Sequence, residues 1–288
     1  MDRLYKKPLL GLFGLTIGFL TQPLGHTVYK VMDNVFASQV YIAAVTLGII
    51  GFLMVGYGLK QQELKATWFG LLGGWFIWIG WFEYAFKYFS VLYSVPPFPV
   101  EVDGYAAAPQ ANMLQATVTI MLAIFLLYGM FNLQSKCNFM RFFHRNLHLS
   151  PGMPTPDNKR SFARITAMEV IFVTWFCYLF WLYIIYFGIS GAGLWIVMGA
   201  YVIWSIWAGY LIFRSTLQVR LAPALRYGVG AGIVVWGSAE MPAHFGAYRE
   251  YWLYPLEYPI FNTILTALFI AALLSITRRF RPETGTDA

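Results

Sequence analysis

Long apolar segments alternate with short polar ones along almost the whole chain. Each apolar segment has roughly the 20 residues that an α-helix needs to cross the hydrocarbon core of a bilayer. Because backbone polar groups in lipid must be paired within their own segment, such unbroken runs predict helices rather than the alternating strands of a membrane barrel. Eight segments are predicted, near residues 8–26, 40–59, 67–86, 112–133, 166–189, 192–213, 223–239 and 259–277.

Two of these segments allow a second interpretation. The seventh contains Gly228, Gly230 and Gly232 and ends in the polar residues Ser238 and Glu240, so a re-entrant half-helix is an alternative to a full span. The first segment follows basic residues, as in a signal peptide, but no small-residue cleavage site comes after it. We therefore expect the first segment to be a retained transmembrane helix.

The composition also indicates a membrane protein. Of the 288 residues, 59% are hydrophobic, 19% are aromatic and only 11% are charged, and the mean hydropathy is +0.58. In soluble domains, about a quarter of all residues are usually charged. We predict one all-α, polytopic domain over residues 1–288, located in a plasma or inner membrane.

The positions of lysine and arginine predict the orientation. If eight spans alternate from a cytoplasmic N-terminus, 17 of the 20 lysines and arginines lie on the cytoplasmic side, and only Lys30, Lys87 and Arg249 lie outside. Because basic residues accumulate on the cytoplasmic side, both termini are predicted to be cytoplasmic. The net charge of +7 then reflects the topology in the membrane and attracts the protein to anionic lipid.

The absence of several well-known motifs excludes common classes of protein. It has no C-x-x-C pair, no Walker A loop, no GxGxxG before a helix, no G-x-S-x-G and no nucleic-acid-binding motif. Cys137 and Cys177 belong to different segments and are expected to be free thiols.

Ionisable residues near the predicted outer ends of the segments indicate where a functional site lies. Such residues are costly at membrane depth, so a group of them predicts function. Seven acids and histidines share this side of the membrane: His26, Asp33, Glu83, Glu240, His244, Glu250 and Glu257. Their grouping follows from a topology that lysine and arginine alone determine.

The last part of this group suits a metal ion. Glu240 and His244 are four residues apart and would leave the same face of a helix, although Pro242 lies between them. Glu257 follows thirteen residues after His244. Carboxylate and imidazole ligands suit Fe, Mn, Zn or Cu, and the absence of thiolate argues against a Cu(I) site.

We therefore predict a transition-metal site at the outer ends of the helices. Its ligands are expected to be Glu240, His244 and Glu257, completed by His26 or Glu83. Two alternatives stay open. The first is a haem held by His26 and His244. In the second, no cofactor binds, and Glu240 and Glu250 pair with Arg249 and tyrosine hydroxyls.

The spacing of Glu240, His244 and Glu257, followed by aromatic residues and proline, resembles the metal motif in the C subunit of membrane-bound copper monooxygenases. That motif begins with Asp and ends with His, where this chain has Glu at both positions. The similarity covers about 20 residues. The resemblance implies a metal-dependent oxygenase or redox subunit.

Two other charged pairs have simple structural explanations. Glu83 and Lys87 are four residues apart, so their mutual neutralisation is an alternative to a role of Glu83 in the site. Glu169 lies just over one turn beyond Arg164, near the predicted inner end of the fifth segment, and a snorkelling pair fits it.

Three pairs of glycines have the small-xxx-small spacing that allows close approach of membrane helices. They are Gly14 and Gly18, Gly70 and Gly74, and Gly228 and Gly232. Plain helix packing is the expected role of all three pairs.

Three classes of function are compatible with the sequence. A metal-binding enzyme or redox subunit is favoured. A non-catalytic scaffold subunit of a larger membrane complex would bind no metal and would be covered by other subunits. A transporter of a small solute or ion would carry charged residues along a path to the inner side. In every class the lipid bilayer is the surrounding partner.

Overall fold

The computed structural model of the protein is predominantly helical. It describes residues 5–97, 101–102, 105–106, 109–131, 144–148, 161–187, 193–244 and 246–280. Ten α-helices lie within these residues: α1 Leu9–Phe36, α2 Val40–Gly58, α3 Glu63–Ile77, α4 Tyr84–Leu92, α5 Gln110–Ala116, α6 Val118–Phe131, α7 Phe162–Phe187, α8 Leu194–Thr216, α9 Leu221–His244 and α10 Pro259–Thr277.

Short elements connect or interrupt these helices. Three 3₁₀ turns lie at Ala37–Gln39, Tyr251–Leu253 and Arg278–Phe280, and a π-helical segment, Trp78–Glu83, joins α3 to α4. Two antiparallel strands of two residues each, β1 Glu101–Val102 and β2 Tyr105–Ala106, precede α5.

Each predicted apolar segment corresponds to a helix or to two consecutive helices. The third is divided by the π-helical segment, and the fourth consists of α5 and α6, which meet at an angle of 49°. The seventh is a single uninterrupted helix, α9, in which Pro242 lies in the last turn without ending it. The helical part of the prediction is therefore confirmed.

Four helical stretches of the described residues are long and apolar enough to cross a membrane, and α5 with α6 would make a fifth. The four are Leu9–Gly58, which contains α1 and α2, and Phe162–Ile185, Leu194–Thr216 and Pro259–Phe280. Their outward side chains are apolar: Ile42, Ile203 and Ile260 are each at least 70% exposed. These helices are those of a membrane protein, while the count of eight spans and the orientation stay predictions.

Glycine contacts bring the central helices together, as the small-xxx-small spacing predicts. A Cβ atom on Gly18 would overlap the backbone of Gly228, and α1 and α9 therefore pack backbone against backbone. In the same way, a Cβ atom on Gly74 would lie 2.8 Å from the Cα of Ala167, which fixes α3 against α7. Because lipid provides no hydrophobic drive between helices, this close packing is the main source of their association.

Candidate functional site

The centre of the site is His26, whose imidazole lies between two oxygen atoms from other helices. Its Nε2 atom is 2.7 Å from the hydroxyl of Tyr178 on α7 and 3.3 Å from Oε1 of Glu240 on α9. The side chains of His26 and Glu240 are only 20% and 13% exposed. The uninterrupted course of α9 through its last turns places Glu240 beside α1.

This arrangement gives a proton more than one place to reside. With a proton on Nε2, the imidazole donates to the Glu240 carboxylate. Without it, the ring nitrogen accepts a hydrogen bond from Tyr178. Histidine is the side chain that changes charge most readily near neutral pH, and a carboxylate beside it stabilises the charged form. The three residues together form an acid–base group.

Glu83 joins this group through the π-helical segment. Its Oε1 atom accepts a hydrogen bond of 2.7 Å from Nε1 of Trp78, and the Trp78 ring stacks on Tyr178 at 6.4 Å between centroids. A π-helical turn adds a residue to a turn and changes the direction of the side chains, and such turns occur often at functional sites. Here it directs both Trp78 and Glu83 towards α7.

A third acid, Glu250, approaches the group from the loop after α9. Burial raises the pKa of its carboxyl to about 7; Glu240 raises it further and His26 opposes the effect. Glu83, Glu240 and Glu250 together therefore place three carboxyl groups around one imidazole.

A cavity of about 290 Å³ lies beside this acidic cluster, by which we mean His26, Tyr178, Glu83, Glu240 and Glu250. Its polar lining includes His26, Glu83 and Tyr178 from the cluster and also Tyr29, Lys30 and Gln110. The Tyr29 hydroxyl is buried and has no hydrogen-bond partner among the described residues. The cavity thus offers a hydrogen-bond donor and a positive charge as well as the carboxyl of Glu83.

The remaining two residues of the predicted metal site lie differently. Glu257 is not part of the cluster: its Oε2 atom accepts a hydrogen bond of 2.9 Å from Nη2 of Arg249, and its side chain is 54% exposed. His244 is the last residue of α9, one turn beyond Glu240, and its side chain lies outside the described part of the structure. Within that part, no group of three or more His, Cys, Asp or Glu side chains is arranged to hold a metal ion.

Two alternatives from the sequence are also changed by the structure. Arg249 pairs with Glu257, and the alternative pairing of Arg249 with Glu240 or Glu250 is therefore wrong. A haem bound to Nε2 of His26 would have to displace both Tyr178 and Glu240 from that atom.

The alternative pairing of Glu83 with Lys87 is wrong. Lys87 instead binds Asp33, at 2.7 Å between Nζ and Oδ1, and Tyr84 donates a hydrogen bond to the same carboxylate. Each side chain has another partner: Glu83 accepts the hydrogen bond from Trp78, and Asp33 on α1 lies within reach of Lys87. Asp33 therefore belongs to a separate ion pair outside the acidic cluster.

The opposite end of the bundle carries a basic network. Glu63, at the start of α3, is 2.6 Å from Nη2 of Arg226 and 2.9 Å from Nη2 of Arg220. Arg226 also donates to Thr67, and its guanidinium lies over the ring of Phe162. The acidic and basic groups thus occupy opposite ends of the same helices.

Glu169 lies between these two ends, and its expected pairing with Arg164 is wrong. Arg164 is exposed, whereas Glu169 faces Gly230 on α9 and is close enough to Arg226 to interact with its charge. The five-residue interval from Arg164 to Glu169 is a rotation of about 140° around α7, which directs the two side chains to lipid and to the bundle respectively. Glu169 is therefore an interior acid.

The acidic cluster leads to a prediction for stability against pH. The pKa of about 7 of Glu250 lies above the ordinary value of 4.5, so the folded protein binds this proton more tightly than the unfolded chain does. The stabilisation is complete below pH 4.5 and is lost as the pH rises through 7. We expect the thermal midpoint in detergent to decrease when the pH is raised from 5 to 8. The decrease should be several degrees larger in the wild type than in Glu250→Gln.

Glu257→Gln, which removes an exposed acid, is the matched control and should retain the wild-type pH dependence. Identical pH dependence in Glu250→Gln and the wild type would contradict the burial of Glu250 beside Glu240.

Tyr178 and Trp78 are the site residues that the sequence does not reveal. Both lie in helices that contain many aromatic residues, and nothing in the pattern distinguishes them from packing residues. Spacing gives no signal either, since Tyr178 lies nine residues, or about two and a half turns, after Glu169 on α7.

Comparison of the chain with protein-family models, with curated proteins and with solved structures gives no match.

Proposed function

We propose that this chain is a membrane transporter that couples the movement of protons to that of a small solute. The observation that carries the proposal is the order of ionisable groups through the bundle. The order runs from the acidic cluster, through Glu169, to Arg226 and Glu63 at the other end. Burying such groups within membrane helices is costly, so their presence along one path favours transport over a scaffold role.

The spacing along α9 supports a path with two steps. Glu169 lies against Gly230, which is ten residues or about 15 Å from Glu240 and four residues or about 6 Å from Arg226. The longer interval is occupied in part by a cavity of about 540 Å³ that extends from Glu169 to Cys177, the neighbour of Tyr178. This cavity gives a solute space beside Glu169 and over part of the distance towards Glu240.

Each group has a separate role in this proposal. His26 holds the transported proton, with Glu240 stabilising the imidazolium and Tyr178 occupying the ring nitrogen when the proton leaves. Glu169 carries the proton in the interior. The polar lining of the smaller cavity, including Tyr29, admits water and solute from the acidic end. A plasma or inner membrane, which sustains a proton gradient, is the expected location.

Charge displacement after a pH jump tests the proposal without knowledge of the solute. The purified protein is placed in liposomes on a solid-supported electrode, and the pH is changed rapidly from 8 to 6. Proton binding to the cluster should give a transient current, which should fall about tenfold in Glu240→Gln and His26→Ala. Glu257→Gln should give the wild-type current.

A wild-type current no larger than that of empty liposomes would overturn the proposal. So would equal currents in the wild type and in both cluster variants, provided that all proteins elute as single symmetric peaks from size exclusion.

A transition-metal site is the second candidate function. The observation in its favour is chemical: an imidazole and a carboxylate in contact, another carboxylate in the same cluster, and His244 one turn from Glu240 along α9. Elemental analysis after incubation with Mn, Fe, Zn or Cu salts tests it. Stoichiometric metal that is lost in both His244→Ala and Glu240→Gln would favour a metal enzyme or redox subunit. Near-zero metal in the wild type would exclude this candidate.

A further inference from the structure

The larger cavity combines an apolar lining with the acidic side chain of Glu169. It lies between α6, α7, α8 and α9 and is surrounded almost entirely by apolar and aromatic side chains, with Phe125, Phe172, Trp175 and Trp207 among them. Phe125 and Phe172 meet edge to face at 5.1 Å. Among the described residues, Glu169 is its only acidic side chain, and no lysine, arginine or histidine lines it. The volume of about 540 Å³ is that of a site for a drug-sized molecule.

The Glu169 carboxyl has no hydrogen-bond partner in the part of the chain that the structure describes. The nearest cation, Arg226, does not neutralise it by direct contact, since Nη1 and Nη2 of Arg226 bind Thr67 and Glu63. The side chain lies over Gly230, where an added Cβ atom would be 3.1 Å from Oε1, and so forms the wall of the cavity. A carboxylate in an apolar environment is costly unless it is paired. A cationic group in the cavity would supply such a partner for Glu169.

The lining selects the charge and the character of a molecule that binds there. A cation pairs with Glu169 and is also attracted by the faces of the aromatic rings, whereas an anion is repelled by the same carboxylate. The rest of the surface is apolar and gains most from a hydrophobic body. A small hydrated cation would leave this surface uncovered.

We propose that this cavity binds a hydrophobic organic cation, with its charged group at Glu169 and its apolar body among the aromatic rings. The identification of this molecule as the transported solute rests on the proposed function. Binding itself does not, because it takes place at equilibrium without a proton gradient. In the transport cycle the cation and a proton compete for the same carboxyl, which couples their movements in opposite directions.

Two probes of the same shape and opposite charge test the binding. Radiolabelled tetraphenylphosphonium is titrated into the protein in lipid nanodiscs, with empty nanodiscs subtracted, and tetraphenylborate is used as the anionic competitor. The wild type should bind tetraphenylphosphonium saturably with one site per chain. Affinity should fall at least tenfold in Glu169→Gln and remain unchanged in Glu257→Gln. Tetraphenylborate should not compete.

A steric variant tests the role of the cavity space separately from that of the Glu169 charge. Leu122 lines the cavity from α6 and is 46% exposed, so Leu122→Trp should fold and should weaken binding by filling the space. No saturable binding by the wild type, equal affinity in Glu169→Gln, or effective competition by tetraphenylborate would each overturn the inference. A pH-jump current without cation binding would contradict this inference and leave the transport proposal standing. Cation binding without a current would contradict the transport proposal and leave this inference standing.

Discussion

Replacing Gly228 with valine is expected to abolish the folded protein. A Cβ atom at this position would overlap the backbone of Gly14 and Leu15 on α1, and backbone atoms cannot move aside as a flexible side chain does. The two central helices would have to separate, at a cost on the order of 4 kcal/mol or more, which approaches the whole stability of many domains. We expect size exclusion in detergent to show only aggregate or no protein.

Gly209→Val is the matched control for this prediction. Gly209 lies on α8, and a Cβ atom added there would have no atom of the described residues within 4 Å, so the same substitution meets open space. It should cost no more than the lower helix propensity of valine and should yield a single symmetric peak. A well-folded Gly228→Val variant would contradict the close packing of α1 on α9.

Replacing Glu63, the acid of the basic network, is expected to give the second largest loss of stability. Glu63→Ala leaves Arg226, whose side chain is only 19% exposed, without its carboxylate partner. Breaking a buried pair from one side costs about 3–5 kcal/mol, and partial exposure reduces this to roughly 2–3 kcal/mol. We expect a lower thermal midpoint, measured by tryptophan fluorescence during heating.

The double variant Glu63→Ala with Arg226→Met is the control, because it removes the stranded charge together with its partner. It should recover part of the lost midpoint. Glu257→Ala, which breaks the exposed pair with Arg249, should leave the midpoint unchanged. An unaltered midpoint in Glu63→Ala would show that Arg226 does not depend on this pair.

The helices could be predicted from the sequence because lipid imposes one rule on every span. Apolar length determines where a helix lies, and α2, α8 and α10 agree with it to within a few residues. The glycine spacing also predicted which helices would approach closely. The division of the third segment by a π-helical turn could not be predicted, since Trp78–Glu83 has the same apolar character as the helices on either side.

The candidate site was predictable in part. His26, Glu83 and Glu240 were grouped from charge topology alone, and the structure brings His26 and Glu240 into contact and Glu83 into the same cluster. The sequence wrongly adds Glu257 to this group, because spacing gives no information on the course of a loop. In the structure that loop turns Glu257 towards Arg249 instead.

The partner of Glu169 could not be predicted from the sequence, for a related reason. A sequence shows that an acid and an arginine are about one turn apart, but small differences in angle around a helix decide whether each faces lipid, a neighbour or a cavity. For Glu169 the deciding feature is Gly230 on α9, whose missing side chain leaves room for the carboxyl. Only the packing of α7 on α9 reveals this.

The contact of His26 with Tyr178 and Glu240 is the central claim, and NMR of the four histidines tests it most directly. The protein is labelled with ¹⁵N-histidine in nanodiscs, and the His26 ring signals are assigned by their loss in His26→Ala. We expect these signals to shift in both Tyr178→Phe and Glu240→Gln and to stay in place in Glu257→Gln. His26 signals that are the same in the wild type and in these three variants would contradict the contact.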